Sequence, residues 1–230
     1  MGRASLVAKL LSLGADVSTR LLVDAFPTGS FTGPGAAGLD CGGETPLHAA
    51  ARLRTTTLAA ALIKAGADVN ARCGTEASPT TIVADATPLY WAVRCCNLAT
   101  VQLLLAKGAD PRARHLWKCQ GQDVRTWTLL HLVASQAFDP AKAGGSSCED
   151  FEASRGAIIS VLVTAGADVN AVDLNGNSAL HIAALFDCRA AVIALLAAGA
   201  DAEVRDARGE TPVGAAKGTA AMSAFPVLVL

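Results

Sequence analysis

Histidine, cysteine and a mixed run of arginine and tryptophan are the side chains with chemistry to offer, and their spacing decides which chemistry is open. The seven cysteines (Cys41, Cys73, Cys95, Cys96, Cys119, Cys148, Cys188) are scattered, odd in number and form no Cys-x-x-Cys pair. That spells neither a zinc site nor a closed disulfide framework. It suits reduced thiols in a reducing compartment, cytoplasmic or nuclear, and no metal or other cofactor is expected. Adjacent Cys95 and Cys96 are poorly placed for a redox or metal pair and read as small buried residues. Of the four histidines, His48, His131 and His181 occupy one position of a repeated motif, and repetition argues against a unique catalytic base. His115 stands apart in an extended hairpin, with no nucleophile–base pairing or G-x-S-x-G context around it. No enzyme is expected.

The run Arg112, Arg114, His115, Trp117, Lys118, Arg125, Trp127 mixes bases with aromatics. It is open to four readings: a patch for an acidic or phosphorylated partner, a nucleic-acid surface, a methyl-lysine cage built from Trp91, Trp117 and Trp127, or a solvated hairpin over buried tryptophan. A net charge of −1 and an aromatic content of 4% argue against nucleic acid. Hydrophobic residues make up 52% of the 230, and mean hydropathy is +0.39. Those values first suggest a membrane protein, but the longest apolar stretches, such as Ala190 to Ala200, are too short to span a bilayer. The excess is largely alanine, which suits tightly stacked short helices, and no membrane span is expected. Lys9 interrupts what could pass for a signal sequence, and Leu6 stands where myristoylation wants Ser or Thr.

The elements that must position these residues come from a repeat. Gly-Ala-Asp occurs five times, starting at Gly14, Gly66, Gly108, Gly166 and Gly199. Ahead of it stand Thr45-Pro46-Leu47-His48, Thr87-Pro88-Leu89-Tyr90, Thr128-Leu129-Leu130-His131 and Ser178-Ala179-Leu180-His181, with a weaker copy at Thr211-Pro212-Val213-Gly214. From the first residue of this motif to the next Gly-Ala-Asp is 21 residues three times (45 to 66, 87 to 108, 178 to 199) and 38 once (128 to 166). The longer interval implies a 17-residue insertion near Phe138 to Arg155. Thr or Ser at the N-cap accepts a bond from a first-turn amide, and Pro at the first helical position has no amide to leave unpaired. Counting back from Gly-Ala-Asp, apolar residues fall at −7, −4 and −3: Val7, Leu10, Leu11; Ala59, Leu62, Ile63; Val101, Leu104, Leu105; Ile159, Leu162, Val163; Val192, Leu195, Leu196. That spacing makes one helical face. Each such leucine, once a neighbouring repeat covers it, contributes roughly 1.5–3 kcal/mol. Gly after the helix supplies a left-handed cap.

These motifs resemble the ankyrin family, whose pattern runs roughly DxxGxTPLHxAAxxG, an apolar helix, then GADVNA. The likeness recurs over nearly the whole chain. It implies an all-α fold, a solenoid of stacked antiparallel helix pairs with projecting β-hairpin loops, in one domain. Its parts are a partial first repeat over 1–20, an extended loop over 21–39, and repeats at about 40–74, 75–116, 117–172 and 173–205. The insertion lies near 138–155, and a partial last repeat covers 206–230. The resemblance also implies that the repeat histidines make hydrogen bonds between repeats. The chain departs from the pattern where Arg54, Cys96, Ala137 and Asp187 replace the glycine between paired helices, so those turns are expected to be strained or reshaped. The hairpin Asp and Gly survive as Asp40/Gly43, Asp173/Gly176 and Asp206/Gly209, but not at Ile82/Asp85 or Asp123/Thr126. The chain opens inside a second helix and closes on the apolar Phe225 to Leu230, which suggests a segment of a longer protein or a tail folded onto the last repeat.

Family members bind other proteins through hairpin tips and the concave face of the first helices. The resemblance therefore implies a protein-binding scaffold or adaptor, or alternatively a targeting module of a larger enzyme or ligase-type assembly. The candidate contacts are Cys41, Gly42, Glu44, Arg52 and Leu53; Val83, Ala86, Arg94 and Cys95; Val124, Arg125, Trp127, Ser135 and Gln136; and Leu174, Asn175, Asn177, Leu185 and Phe186. Arg125, Trp127 and Arg94 stand out, because Trp and Arg dominate hot spots. Asn70 and Asn170, each in Asp-Val-Asn with a leucine eight residues upstream (Leu62, Leu162), look like sites that an asparaginyl hydroxylase recognises. That would make the chain a substrate, though local hydrogen bonding by Asn in a turn explains them as well.

Overall fold

A computed structural model describes residues 14–20, 43–53, 56–74, 83–117, 125–135, 148–216 and 225. Among these the elements run α1 (Pro46–Arg52), α2 (Thr56–Lys64), β1 (Val83–Ala84), α3 (Pro88–Arg94), α4 (Leu98–Ala106), β2 (Arg114–Trp117), β3 (Arg125–Thr128), α5 (Leu129–Ala134), α6 (Cys148–Thr164), α7 (Ala179–Leu185), α8 (Arg189–Ala197) and α9 (Pro212–Ala215). They are the helix pairs and hairpin loops of a repeat solenoid, with a small antiparallel addition where Val83 pairs with Trp117 and Ala84 with Leu116. The first expected helix, with Val7, Leu10 and Leu11, and the long loop over 21–39 lie outside the described residues.

The chain divides into two compact units. One comprises Met1–Ala92, Ala99–Asp110 and His115–Val124; the other comprises Val93–Leu98, Pro111–Arg114 and Arg125–Leu230. In the first, α1 packs on α2. In the second, α5 packs on α6 and α7, α6 on α8, and α7 on α8 and α9.

Each helix pair is closed by the same chemistry at both ends. At the start, Thr128 and Ser178 take extended backbone, and their hydroxyls accept the N–H groups of His131 and His181. At the finish, the glycine of Gly-Ala-Asp turns left-handed (φ +101° at Gly166, +88° at Gly199). The next amide then reaches back to a helix carbonyl: Ala67 to Leu62 (3.0 Å), Ala109 to Leu104 (3.0 Å), Ala167 to Leu162 (2.9 Å) and Ala200 to Leu195 (2.9 Å). The leucine whose carbonyl accepts that bond is the one at −4, and its side chain is buried in all four cases. The −7 residues Ala59, Val101, Ile159 and Val192 are buried too. The −3 residues Ile63, Leu105, Val163 and Leu196 are only half-buried, because they lie about 100° further round the helix. They form the rim of the face.

Where glycine is missing between paired helices, Cys96 (φ +53°) and Asp187 (φ +54°) adopt the left-handed turn themselves. Asp85 (φ +59°) does the same in place of a hairpin glycine. At the inserted repeat the structure revises the expected boundary, since Cys148 to Arg155 already belong to α6. Arg155 is 4% exposed and donates to the carbonyls of Val133 (2.9 Å) and Ser135 (3.4 Å), which satisfies the end of α5. Phe225 is buried.

Candidate protein-binding surface

The hairpins of the second unit are built around carboxylates turned inward. Asp173 accepts the amides of Asn175 (2.8 Å) and Asn177 (2.9 Å), and Asp206 accepts those of Arg208 and Glu210 (both 2.9 Å). Both aspartates are buried. Burial works against charge on Asp206, but the amides of Glu210 and Arg208 and the Arg208 guanidinium outweigh it and hold the carboxyl below its usual range. The two tips are joined directly, the Ala207 amide donating to the Asn175 carbonyl at 2.9 Å. Gly176 permits this approach: it has φ +76°, and a Cβ there would lie 3.0 Å from the Ala207 nitrogen. Leu174, at 69% exposure, is thereby held out to solvent beside exposed Asn175 and Val172. Arg114 braces this hairpin by donating to the Val172 carbonyl (3.1 Å), and Arg112 braces its base at the Gly166 carbonyl (2.7 Å).

The repeat histidines tie these hairpins to the helices. The amides of Thr45, Thr128 and Ser178 donate to Nδ1 of His48, His131 and His181. Nε2 therefore carries the proton and donates to the carbonyls of Ala86 (3.1 Å), Asn177 (2.9 Å) and Glu210 (3.0 Å) respectively. Each carbonyl belongs to the residue just ahead of a later N-cap. Burial, against the pull of the Asn177 carbonyl and Asp173, holds His131 below its ordinary pKa. Both ring nitrogens are engaged in bonds that hold the backbone. Where the motif has Tyr90 instead, the phenol ring meets His115 at 4.7 Å. His115 was expected to be free in an extended hairpin, but it is 2% exposed and donates from Nδ1 to the Asp85 carbonyl (3.0 Å). Burial, with Arg72 adding to it, lowers its pKa to about 4 despite the Asp85 carbonyl and Asp110.

Burial corrects several of the expected contacts. Glu44 is buried and ion-paired with Arg52, and desolvation raises its carboxyl above the usual range even against the Arg52 charge. Arg52 itself is partly exposed and lies 4.9 Å over the ring of Trp91. Trp127 is 6% exposed and stacked 6.4 Å from His131, so it packs instead of projecting. Trp91 is 0% exposed, which removes it as the wall of a methyl-lysine cage. Ala86 and Ser135 are buried, the Ser135 hydroxyl donating to the Leu132 carbonyl. Asn177 is half-buried with its amide on the Asp173 carboxylate.

The remaining candidates divide by exposure. Leu53, Arg94, Cys95, Leu185 and Phe186 are half-buried, and Leu174 and Asn175 are exposed. Cys41, Gly42, Val124 and Gln136, with the side chains of Val83, Trp117 and Arg125, lie outside what is described. Asn70 bridges to the next loop, donating to the Gly108 carbonyl (3.0 Å) and accepting the Asp110 amide (2.9 Å). Asn170 accepts the Asp201 amide in the same way. Sequence reasoning missed Arg205 and Arg208 on the last hairpin. Their signal was their place beside the Asp206/Gly209 pair.

Among the described residues no helix is long and apolar enough to cross a membrane, and no cluster of His, Cys, Asp and Glu could hold a metal ion. Residues 5–115 match a family described as ankyrin repeats in three copies, and residues 162–214 match one described as ankyrin repeats in many copies. The Neurogenic locus Notch protein of Drosophila melanogaster is 42% identical over 86 residues, covering 37% of this chain and 3% of the relative. Neurogenic locus notch homolog protein 1 of Homo sapiens is 31% identical over 171 residues, covering 74% of this chain and 5% of the relative. Neurogenic locus notch homolog protein 2 of Homo sapiens is 32% identical over 157 residues, covering 56% and 6%. The chain spans only a few per cent of the length of these curated relatives. Ankyrin repeats are protein–protein interaction modules. With its capped helix pairs, its histidine ties and these matches, the chain belongs to the ankyrin-repeat family.

Proposed function

We propose that this chain is a protein-binding scaffold or adaptor, without catalysis of its own, which grips its partner through the hairpin tips and first-helix faces. The observation that carries the reading is Leu174, a large apolar side chain 69% exposed on a tip whose turn amides are bonded inward to Asp173. Preorganised, exposed apolar surface of this kind lowers the ordering cost of binding. The repeat histidines, tied at both nitrogens, support a binding role over acid–base chemistry. The thiol-rich composition suits a reducing compartment, cytoplasm or nucleus.

The test is affinity capture on the immobilised chain with mass-spectrometric identification, run beside a Leu174→Asp, Asn175→Ala variant. A partner held by the parent chain and lost by the variant, with an unchanged melting temperature, supports the reading. Capture that is indifferent to both substitutions and to Arg52→Ala and Arg94→Ala refutes it.

A further inference from the structure

Building on that reading, we infer that the hairpin edge of the second unit takes an acidic peptide segment carrying an apolar side chain. The apolar centre is Leu174 with Val172, 69% and 38% exposed. Arg114 places its guanidinium beside this pair by donating to the Val172 carbonyl. On the neighbouring hairpin, bonded to the first through Ala207 and Asn175, Arg205 donates to the Gly209 carbonyl at 2.8 Å. A carbonyl satisfies a donor but does not neutralise a charge. Among the described residues no carboxylate lies within ion-pair distance of Arg114 or Arg205, and both are exposed.

The edge's own carboxylates do not offset this charge toward solvent. Asp173 and Asp206 are buried on turn amides, and the exposed Glu210 lies 3.5 Å from Arg208, which also meets Asp206 at 3.2 Å. Solvent therefore sees uncompensated guanidinium on either side of an apolar centre. Each guanidinium has five N–H donors and the fork geometry that matches a carboxylate. The complementary ligand sets carboxylates on both sides of a leucine-like side chain, which fills the space around Leu174. The net charge of −1 hides this local excess.

A random peptide library displayed on phage, selected against the full chain, tests the inference. Enriched peptides should carry Glu or Asp flanking an apolar residue. A synthetic fluorescein-labelled copy of the most enriched peptide should lose about tenfold or more in affinity to an Arg114→Glu, Arg205→Glu variant and to Leu174→Ser. Circular dichroism melts check that both variants stay folded, and raised salt should weaken the parent complex. Enriched peptides that are basic, or whose binding ignores these substitutions, overturn the inference. Binding of such peptides that depends on Arg52 or Arg94 would leave the scaffold reading standing. A polyuridylate oligonucleotide bound through Arg114 and Arg205 without Leu174, while no acidic peptide is enriched, also overturns it. Enrichment of no peptide at all counts against both readings.

Discussion

His115→Phe tests the claim that this ring is buried neutral in the first unit. In the parent chain Nδ1–H donates to the Asp85 carbonyl, and Nε2 is buried with no hydrogen-bond partner among the described residues. At neutral pH the substitution removes one neutral hydrogen bond, worth about 1 kcal/mol, and keeps a flat ring against Tyr90. The two chains should therefore differ little. Acid separates them. The folded pKa, about 4, lies below the ordinary 6.5 that the unfolded chain returns to. The stability tied to this ring is thus fully present above pH 6.5 and drains away as pH falls toward about 4. One proton per molecule gives a slope of about 1.4 kcal/mol per pH unit, or about 2 kcal/mol lost by about pH 5. The variant escapes this loss. Urea unfolding followed by tryptophan fluorescence at about pH 7.5 and about pH 5 should show the variant gaining about 2 kcal/mol on the parent chain in the lower buffer. His131 and the carboxylates titrate in both chains and cancel in the difference. Equal losses in the two chains would show that the folded state lets His115 charge, and the burial argument would fail.

Two further outcomes follow from the repeat chemistry. His131→Ala strands the Asn177 carbonyl and the Thr128 amide and leaves a cavity, and should cost about 3 kcal/mol or more in urea titration, with the second unit's melting transition falling accordingly. Gly199→Ala, left-handed with nothing within 4 Å of the new Cβ, should cost only the backbone strain of about 1 kcal/mol. Gly176→Ala adds a collision with the Ala207 nitrogen at 3.0 Å and should cost more. Thermal melts of the pair give the comparison, and an equal loss would contradict the packed-tip geometry.

The helix pairs were legible because their signals are local. A capping Thr or Ser three residues before His, leucines one turn apart and a terminal glycine each act within a few residues. What escaped depended on distant segments. His115 sits 25 positions from Tyr90 in sequence, and only folding shows that the motif's tyrosine packs against it. Arg155 looked like the end of an insertion, yet it closes the α5 terminus that no glycine closes. Trp127 has the composition of a hot spot, but composition does not say which side of a strand faces inward, and this indole lies against His131. The tip cluster was half visible: Leu174 and Asn175 followed from the family's contact positions. The charge around them emerged only when Arg114 was found on the Val172 carbonyl.

Because every helix pair is fastened at its own start and its own finish, the intervening chain does not have to hold the pair together. Lengthening a segment between fastened ends costs only closure entropy, about 0.6 kcal/mol for each doubling. The stretch between Ser135 and Cys148 has already been enlarged on this principle, and it marks a place where a reporter, an affinity tag or a second recognition sequence could be spliced in without disturbing the stack.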